Sequence, residues 1–138
     1  MKIFLDTNVV ISGIFFGGPP GKILEAWRDR RIQIVLSPEI LQEYELVADK
    51  LASQHKDRDA GRVLDLLATH AETVQPPPLA EGVCEDPDDD KFLACAAHAD
   101  VACVISGDKH LLRVSGYQGI EVVSPRDFID KHLNTSDA

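Results

Sequence analysis

Short uninterrupted apolar runs alternate along this chain with longer stretches whose apolar positions recur every three or four residues. Ile3-Phe4-Leu5, Ile32-Gln33-Ile34-Val35-Leu36, Val101-Ala102-Cys103-Val104-Ile105 and Ile120-Glu121-Val122-Val123 read as strands, with a weaker one at Glu72-Thr73-Val74. Amphipathic spacing between them predicts helices over residues 9–16, 21–30, 38–52, 58–70, 89–99 and 125–132. Two helix starts are marked chemically: Ser37-Pro38 and Ser124-Pro125 each place a capping hydroxyl before a proline suited to the first helical position. Strands that alternate with helices predict an α/β domain with parallel strands, here a single domain over 1–132 with a frayed tail at 133–138. Gly17-Gly18-Pro19-Pro20 reads as a turn and lacks the Gly-Lys-Ser/Thr ending of a phosphate loop. Gln75-Pro76-Pro77-Pro78 reads as an extended spacer.

Composition narrows the class. The 138 residues are 44% hydrophobic and 27% charged, as in an ordinary soluble globular protein, so global disorder and fibrous classes are excluded. Acidic residues outnumber basic ones 23 to 14, for a formal charge of −9. That balance excludes a protein that coats nucleic acid by bulk charge, but not one that cuts it with the help of bound cations. The cysteines, Cys84, Cys95 and Cys103, are odd in number and form no Cys-x-x-Cys, which suits reduced, packed thiols in a cytosolic protein. Asp6 interrupts the N-terminal apolar run before a signal-peptide core develops, and the run 9–16 falls short of the ~20 residues that span a bilayer. The expectation is a cytoplasmic protein without a membrane partner.

The position of the acids carries the chemistry. Asp6 directly follows the first strand, and Asp108 follows the strand ending at Ile105 across Ser106-Gly107. In an open parallel sheet the carboxyl ends of the strands form the ligand crevice, so these two carboxylates can converge there. On the helix after Ser37-Pro38, Ile40, Tyr44, Val47 and Leu51 form the expected inward stripe, and Glu43 falls inside it. An acid on an apolar face must be paired, hydrogen-bonded or bound to a cation. In the run Glu85-Asp86-Pro87-Asp88-Asp89-Asp90, Asp90 starts the inward face continued by Leu93, Ala94 and Ala97, whereas Glu85 and Asp88 read as a solvated turn. Like charges ~4 Å apart repel by about 4 kcal/mol at an effective dielectric near 20, so acids that share a crevice either protonate or bind a divalent cation. An all-oxygen donor set selects Mg²⁺ or Mn²⁺, as one ion or two; the histidines His55, His70, His98, His110 and His132 form no zinc-spaced pair, and the shared helix face of Cys95 and His98 reads as packing.

Four segments in order, Ile3-Phe4-Leu5-Asp6-Thr7-Asn8-Val9-Val10-Ile11-Ser12, Leu36-Ser37-Pro38-Glu39-Ile40-Leu41-Gln42-Glu43, Asp86-Pro87-Asp88-Asp89-Asp90-Lys91-Phe92-Leu93-Ala94 and Val104-Ile105-Ser106-Gly107-Asp108, make the chain resemble the PIN-domain ribonucleases. It looks most like their bacterial VapC-like branch, the toxins of toxin–antitoxin systems. The resemblance implies a three-layer sandwich with a central parallel β-sheet flanked by helices. It also implies a Mg²⁺/Mn²⁺-dependent endoribonuclease whose catalytic and metal-binding acids are Asp6, Glu43, Asp90 and Asp108. Asn8 and Ser106 match supporting polar positions of similar proteins. Water attack would leave 5′-phosphate and 3′-hydroxyl ends, with Lys91 and Lys109, followed by Arg113, as phosphate contacts. Partners implied are an RNA substrate, an antitoxin protein and a second copy in a homodimer, with Ile14, Phe15, Phe16 and Trp27 as residues for an apolar docking surface. Two rivals are a non-catalytic PIN-like module that binds RNA or protein, and a phosphatase of the haloacid dehalogenase type. The latter wants an acid two residues after Asp6, where Asn8 stands.

Overall fold

The computed structural model describes residues 1–53, 60–75 and 90–133. Cys84, His55, Pro76-Pro77-Pro78, the acidic positions 85–89 and most of the expected tail lie outside the described residues. Strands β1 (Lys2–Leu5), β2 (Gln33–Leu36), β3 (Glu72–Thr73), β4 (Cys103–Ile105) and β5 (Glu121–Val123) form one parallel sheet in the order β3-β2-β1-β4-β5. Ile3, Phe4, Leu5, Ile34, Val35, Leu36, Val104 and Ile105 are buried, which is why these strands read as unbroken apolar runs rather than alternating ones. The edge strand β3 is two exposed residues long, and Glu72 there pairs with Lys2 at 3.2 Å.

Helices α1 (Thr7–Phe15), α2 (Gly18–Arg28), α3 (Pro38–Ala52) and α4 (Ala60–His70) precede the step across the sheet, and α5 (Asp90–His98) and α6 (Lys109–Leu112) follow it. The first four pack on one another, whereas α5 lies against β1, β2 and β4. This is the three-layer α/β sandwich: right-handed crossovers that run first one way and then the other from β1 put helices on opposite faces of the sheet. Phe4 of β1 and Phe92 of α5, with ring centroids 5.2 Å apart, join sheet and helix in the core. After β5, α7 (Pro125–Phe128) and a π-helical turn, Ile129–Leu133, pack against α2.

Two details depart from the sequence pattern, and one glycine permits a close helix approach. The Gly17-Gly18-Pro19-Pro20 turn is shorter than expected, because α2 already begins at Gly18 and absorbs both prolines in its first turn. Amides there have no intrahelical partner, so proline costs nothing. Gly13 allows α1 and α2 to meet, since a Cβ would sit 2.7 Å from Leu24 Cδ1 and 3.0 Å from the Pro20 carbonyl oxygen. The buried stripe of α3 is Ile40, Tyr44 and Ala48, with Val47 and Leu51 only half-buried. Glu43 accordingly stands at the border of that stripe rather than inside it, with 30% of its side chain exposed.

Candidate functional site

The strand order reverses at β1, with β4 on one side and β2 on the other, and ligands of open α/β sheets bind at the carboxyl ends of the strands at such a switch point. The ends of β1 and β4 are tied directly: the Asp6 amide donates to the Ile105 carbonyl at 3.0 Å. Asp6 is the N-terminal boundary residue of α1, yet its side chain makes no capping bond to that helix. Instead its buried carboxylate accepts from Ser106 Oγ at 2.6 Å. Ser106, fully buried, in turn accepts the Asp108 amide at 2.9 Å, so one hydroxyl fixes both acids that follow the strands.

Burial pushes the Asp6 carboxyl above its ordinary value. The Ser106 hydroxyl and the Thr7 amide pull it back, while the negative charges of Asp108 and Glu43 push it up again. Two of the other sequence-predicted acids, Asp108 and Glu43, therefore act on the buried carboxylate of a third, Asp6. Glu43 is held by two partners: Thr7 Oγ1 donates to Oε2, and Lys91 Nζ lies 2.6 Å from Oε1. Lys91 belongs to α5, so this half-buried ion pair bridges helices on opposite sides of the sheet. Asp108 Oδ1 accepts the His110 amide at 2.8 Å and so caps the short α6. Asp90 opens α5, half-buried, next to Lys91. Asn8 is exposed in the first turn of α1, and Lys109 is exposed at the start of α6.

The four acids do not close into a compact cage. Among the described residues, the one set of three ligand atoms within 4.8 Å of one another is Cys103, Glu121 and His132. Glu43 is drawn toward Thr7 and Lys91, and Asp108 toward the helix it caps.

Two supporting residues were missed in the sequence. Thr7 is buried and orients Glu43. Tyr44, read there as core alone, donates its hydroxyl to the Leu5 carbonyl at 2.5 Å, one residue before Asp6, and so pins the end of β1. Burial first, then the charge of Asp6, holds the Tyr44 hydroxyl well above its ordinary value, so it stays a donor. The only sequence signal for Tyr44 was a polar tip on a buried stripe, which needs a partner. Of the residues expected to offer an apolar docking surface, Phe15 belongs to the core, Ile14 and Trp27 are half-buried against it, and Phe16 is 63% exposed. Among the described residues no helix is long and apolar enough to cross a membrane.

A parallel sheet with a buried strand-end aspartate bound to a serine across the switch point, and further acids acting on it, defines an open α/β fold with an acidic switch-point site. The chain matches the PIN domain model over residues 2–110 and belongs to the PIN-domain family. It is also 30% identical over 145 aligned positions to an uncharacterized protein of Methanocaldococcus jannaschii, covering 95% of this chain and 91% of the other. PIN domains are generally nucleases and typically bind divalent metals.

Proposed function

We propose that the protein is a Mg²⁺- or Mn²⁺-dependent endoribonuclease that hydrolyses phosphodiester bonds to 5′-phosphate and 3′-hydroxyl ends. The observation that carries this reading is the Asp6 carboxylate: buried at the switch point, not used as a helix cap, and under the field of Asp108 and Glu43. A buried acid among acids is costly unless a cation compensates it, and oxygen-only donors suit Mg²⁺ or Mn²⁺. The all-carboxylate chemistry suits such an ion, and Asp6, Glu43, Asp90 and Asp108 would hold it once Glu43 and Asp108 turn from Lys91 and the α6 amide. When bound, the cation supplies Lewis-acid stabilisation of the phosphodiester charge and lowers the pKa of a water.

The chain's own residues have separate tasks. Ser106 keeps Asp6 aimed and, by donating to it, favours its ionised form. Tyr44 keeps the β1 end in place. Thr7 holds one oxygen of Glu43 and Lys91 offsets the charge on the other. Lys91 and Lys109, followed by Arg113, serve as phosphate contacts, which a chain of charge −9 needs locally, and Asn8 is a supporting polar group. In the same proposal the protein is a VapC-like toxin that acts as a homodimer under the control of an antitoxin protein.

The test is cleavage of a defined RNA pool with Mn²⁺ and mapped ends, beside Asp6→Asn and a chelated control. The expected outcome is 5′-phosphate ends from the parent and loss of cutting by at least about 100-fold in both controls. Equal cutting by Asp6→Asn refutes the site. Expression in cells with growth as the readout tests the toxin role.

A further inference from the structure

A second set of groups converges at the opposite end of the sheet. Cys103 is the first residue of β4 and Glu121 the first of β5, and the parallel register places them side by side. His132 reaches them from the π-helical turn that follows α7, where its ring lies 5.1 Å from that of Phe128. Cys103 Sγ is 3.5 Å from Glu121 Oε1 and 3.7 Å from His132 Nε2, and Nε2 is 3.3 Å from Oε1. These three separations describe a particular shape. Zinc bonds of ~2.3 Å to sulfur and ~2.0–2.2 Å to nitrogen and oxygen, at tetrahedral angles, set ligand atoms about 3.3–3.6 Å apart. The observed triangle is therefore close to one face of a zinc tetrahedron.

We propose that Cys103, Glu121 and His132 form a zinc-binding site with three protein ligands and a fourth position for water or an external ligand. A thiolate, an imidazole and a carboxylate suit zinc rather than Mg²⁺, so the site is chemically distinct from the acid crevice. It is also spatially separate, because Asp6 and Asp108 follow the carboxyl ends of β1 and β4 whereas this triad sits at the amino ends of β4 and β5. Glu121 and His132 are 37% and 26% exposed, which leaves an entry path, while Cys103 is buried. Lys131 pairs with the other carboxylate oxygen of Glu121, Oε2, at 3.2 Å, and Oε1 faces the thiol and the ring. Burial and the neighbouring Glu121 push the Cys103 thiol up to about 12, so sulfur carries its proton until the ion arrives. The proton then passes to bulk solvent as the zinc–sulfur bond forms. The ion would bolt the C-terminal turn onto two strand starts.

Co²⁺, a spectroscopic substitute for Zn²⁺, tests this on the full chain. One equivalent should produce a thiolate-to-cobalt charge-transfer band and tetrahedral ligand-field bands, both bleached by Zn²⁺. Glu121→Gln and His132→Ala, changes at partly exposed side chains, should each weaken Zn²⁺ by at least about 10-fold and abolish its stabilisation of the fold. Cys103→Ser should remove the charge-transfer band, and Cys95→Ala and Asp6→Asn should retain it. No band in the parent, a band that survives in Cys103→Ser, or unchanged Zn²⁺ affinity in both Glu121→Gln and His132→Ala overturns the proposal.

Discussion

Replacing Ser106 by alanine deletes one oxygen and two hydrogen bonds. The hydroxyl donates to the Asp6 carboxylate at 2.6 Å and accepts the Asp108 amide at 2.9 Å, in a residue with no exposed surface. A hydrogen bond to an ionised group is worth about 1.5–3 kcal/mol net, and water cannot replace this one at a buried position. With the second bond partly solvated, the expected cost at pH 7 is about 2–3 kcal/mol. Unfolding entropy of ~2.1 cal/mol/K per residue gives a chain this long about 0.3 kcal/mol/K, so the midpoint should fall by roughly 7–10 °C. The pH dependence is diagnostic. The Ser106 bond favours the ionised carboxylate, so its contribution is present above the Asp6 pKa and fades as pH falls through it. Urea unfolding of parent and Ser106→Ala at pH 7 and pH 3, repeated in an Asp6→Asn background, measures the effect. A loss below about 0.5 kcal/mol at pH 7, or an equal loss at both pH values, refutes the assigned role.

Asp6→Asn should be more stable than the parent at pH 7 even though it loses cleavage. Burial raises the Asp6 pKa, so the protonated carboxyl favours the fold below the ordinary value of 3.8, and that stability disappears as pH rises through the folded value. Asparagine escapes that penalty, so the urea midpoints should differ at pH 7 and converge near pH 3. Tyr44→Phe leaves the buried Leu5 carbonyl without its hydroxyl donor and should cost about 1–3 kcal/mol in urea unfolding, with an unchanged midpoint as the contrary result. Lys91→Met removes the cation from Glu43 in a half-buried pair and should cost about 1 kcal/mol. Added Mn²⁺ should then raise its melting temperature more than that of the parent, because Lys91 no longer competes for Glu43. Equal rises would separate Lys91 from the metal site.

Apolar runs and capping pairs located the sheet and most helices because they are properties of neighbouring residues. Ser37 and Ser124 cap the helices they precede, by accepting the Ile40 amide and the Asp127 amide at 3.2 Å each. Local pattern was weaker where packing chooses among similar phases. The α3 stripe rotated toward Ala48, which moved Glu43 from the interior to the border, and the prolines after Gly17 entered a helix rather than a turn. The short α6 and the 3₁₀ turn Tyr117–Gly119 left no periodic signal, being too brief to repeat.

The acids themselves stood out in the chain because a carboxylate directly after a strand, or beside an apolar stripe, is anomalous at the level of composition and phase. Their partners did not. Ser106 and Asp6 are 100 residues apart, Thr7 and Glu43 are 36 apart, and Cys103 and His132 are 29 apart. The first and last exist only once the order β3-β2-β1-β4-β5 sets β4 beside both β1 and β5, and the second only once α1 packs on α3. The linear pattern could thus specify an α/β chain with acids at the ends of its elements, since each local preference acts on adjacent residues. Which hydroxyl steadies Asp6, which cation answers Glu43, and that a cysteine, a glutamate and a histidine meet at the far end of the sheet follow from the folded chain, where burial makes each polar group find a partner wherever in the sequence that partner lies.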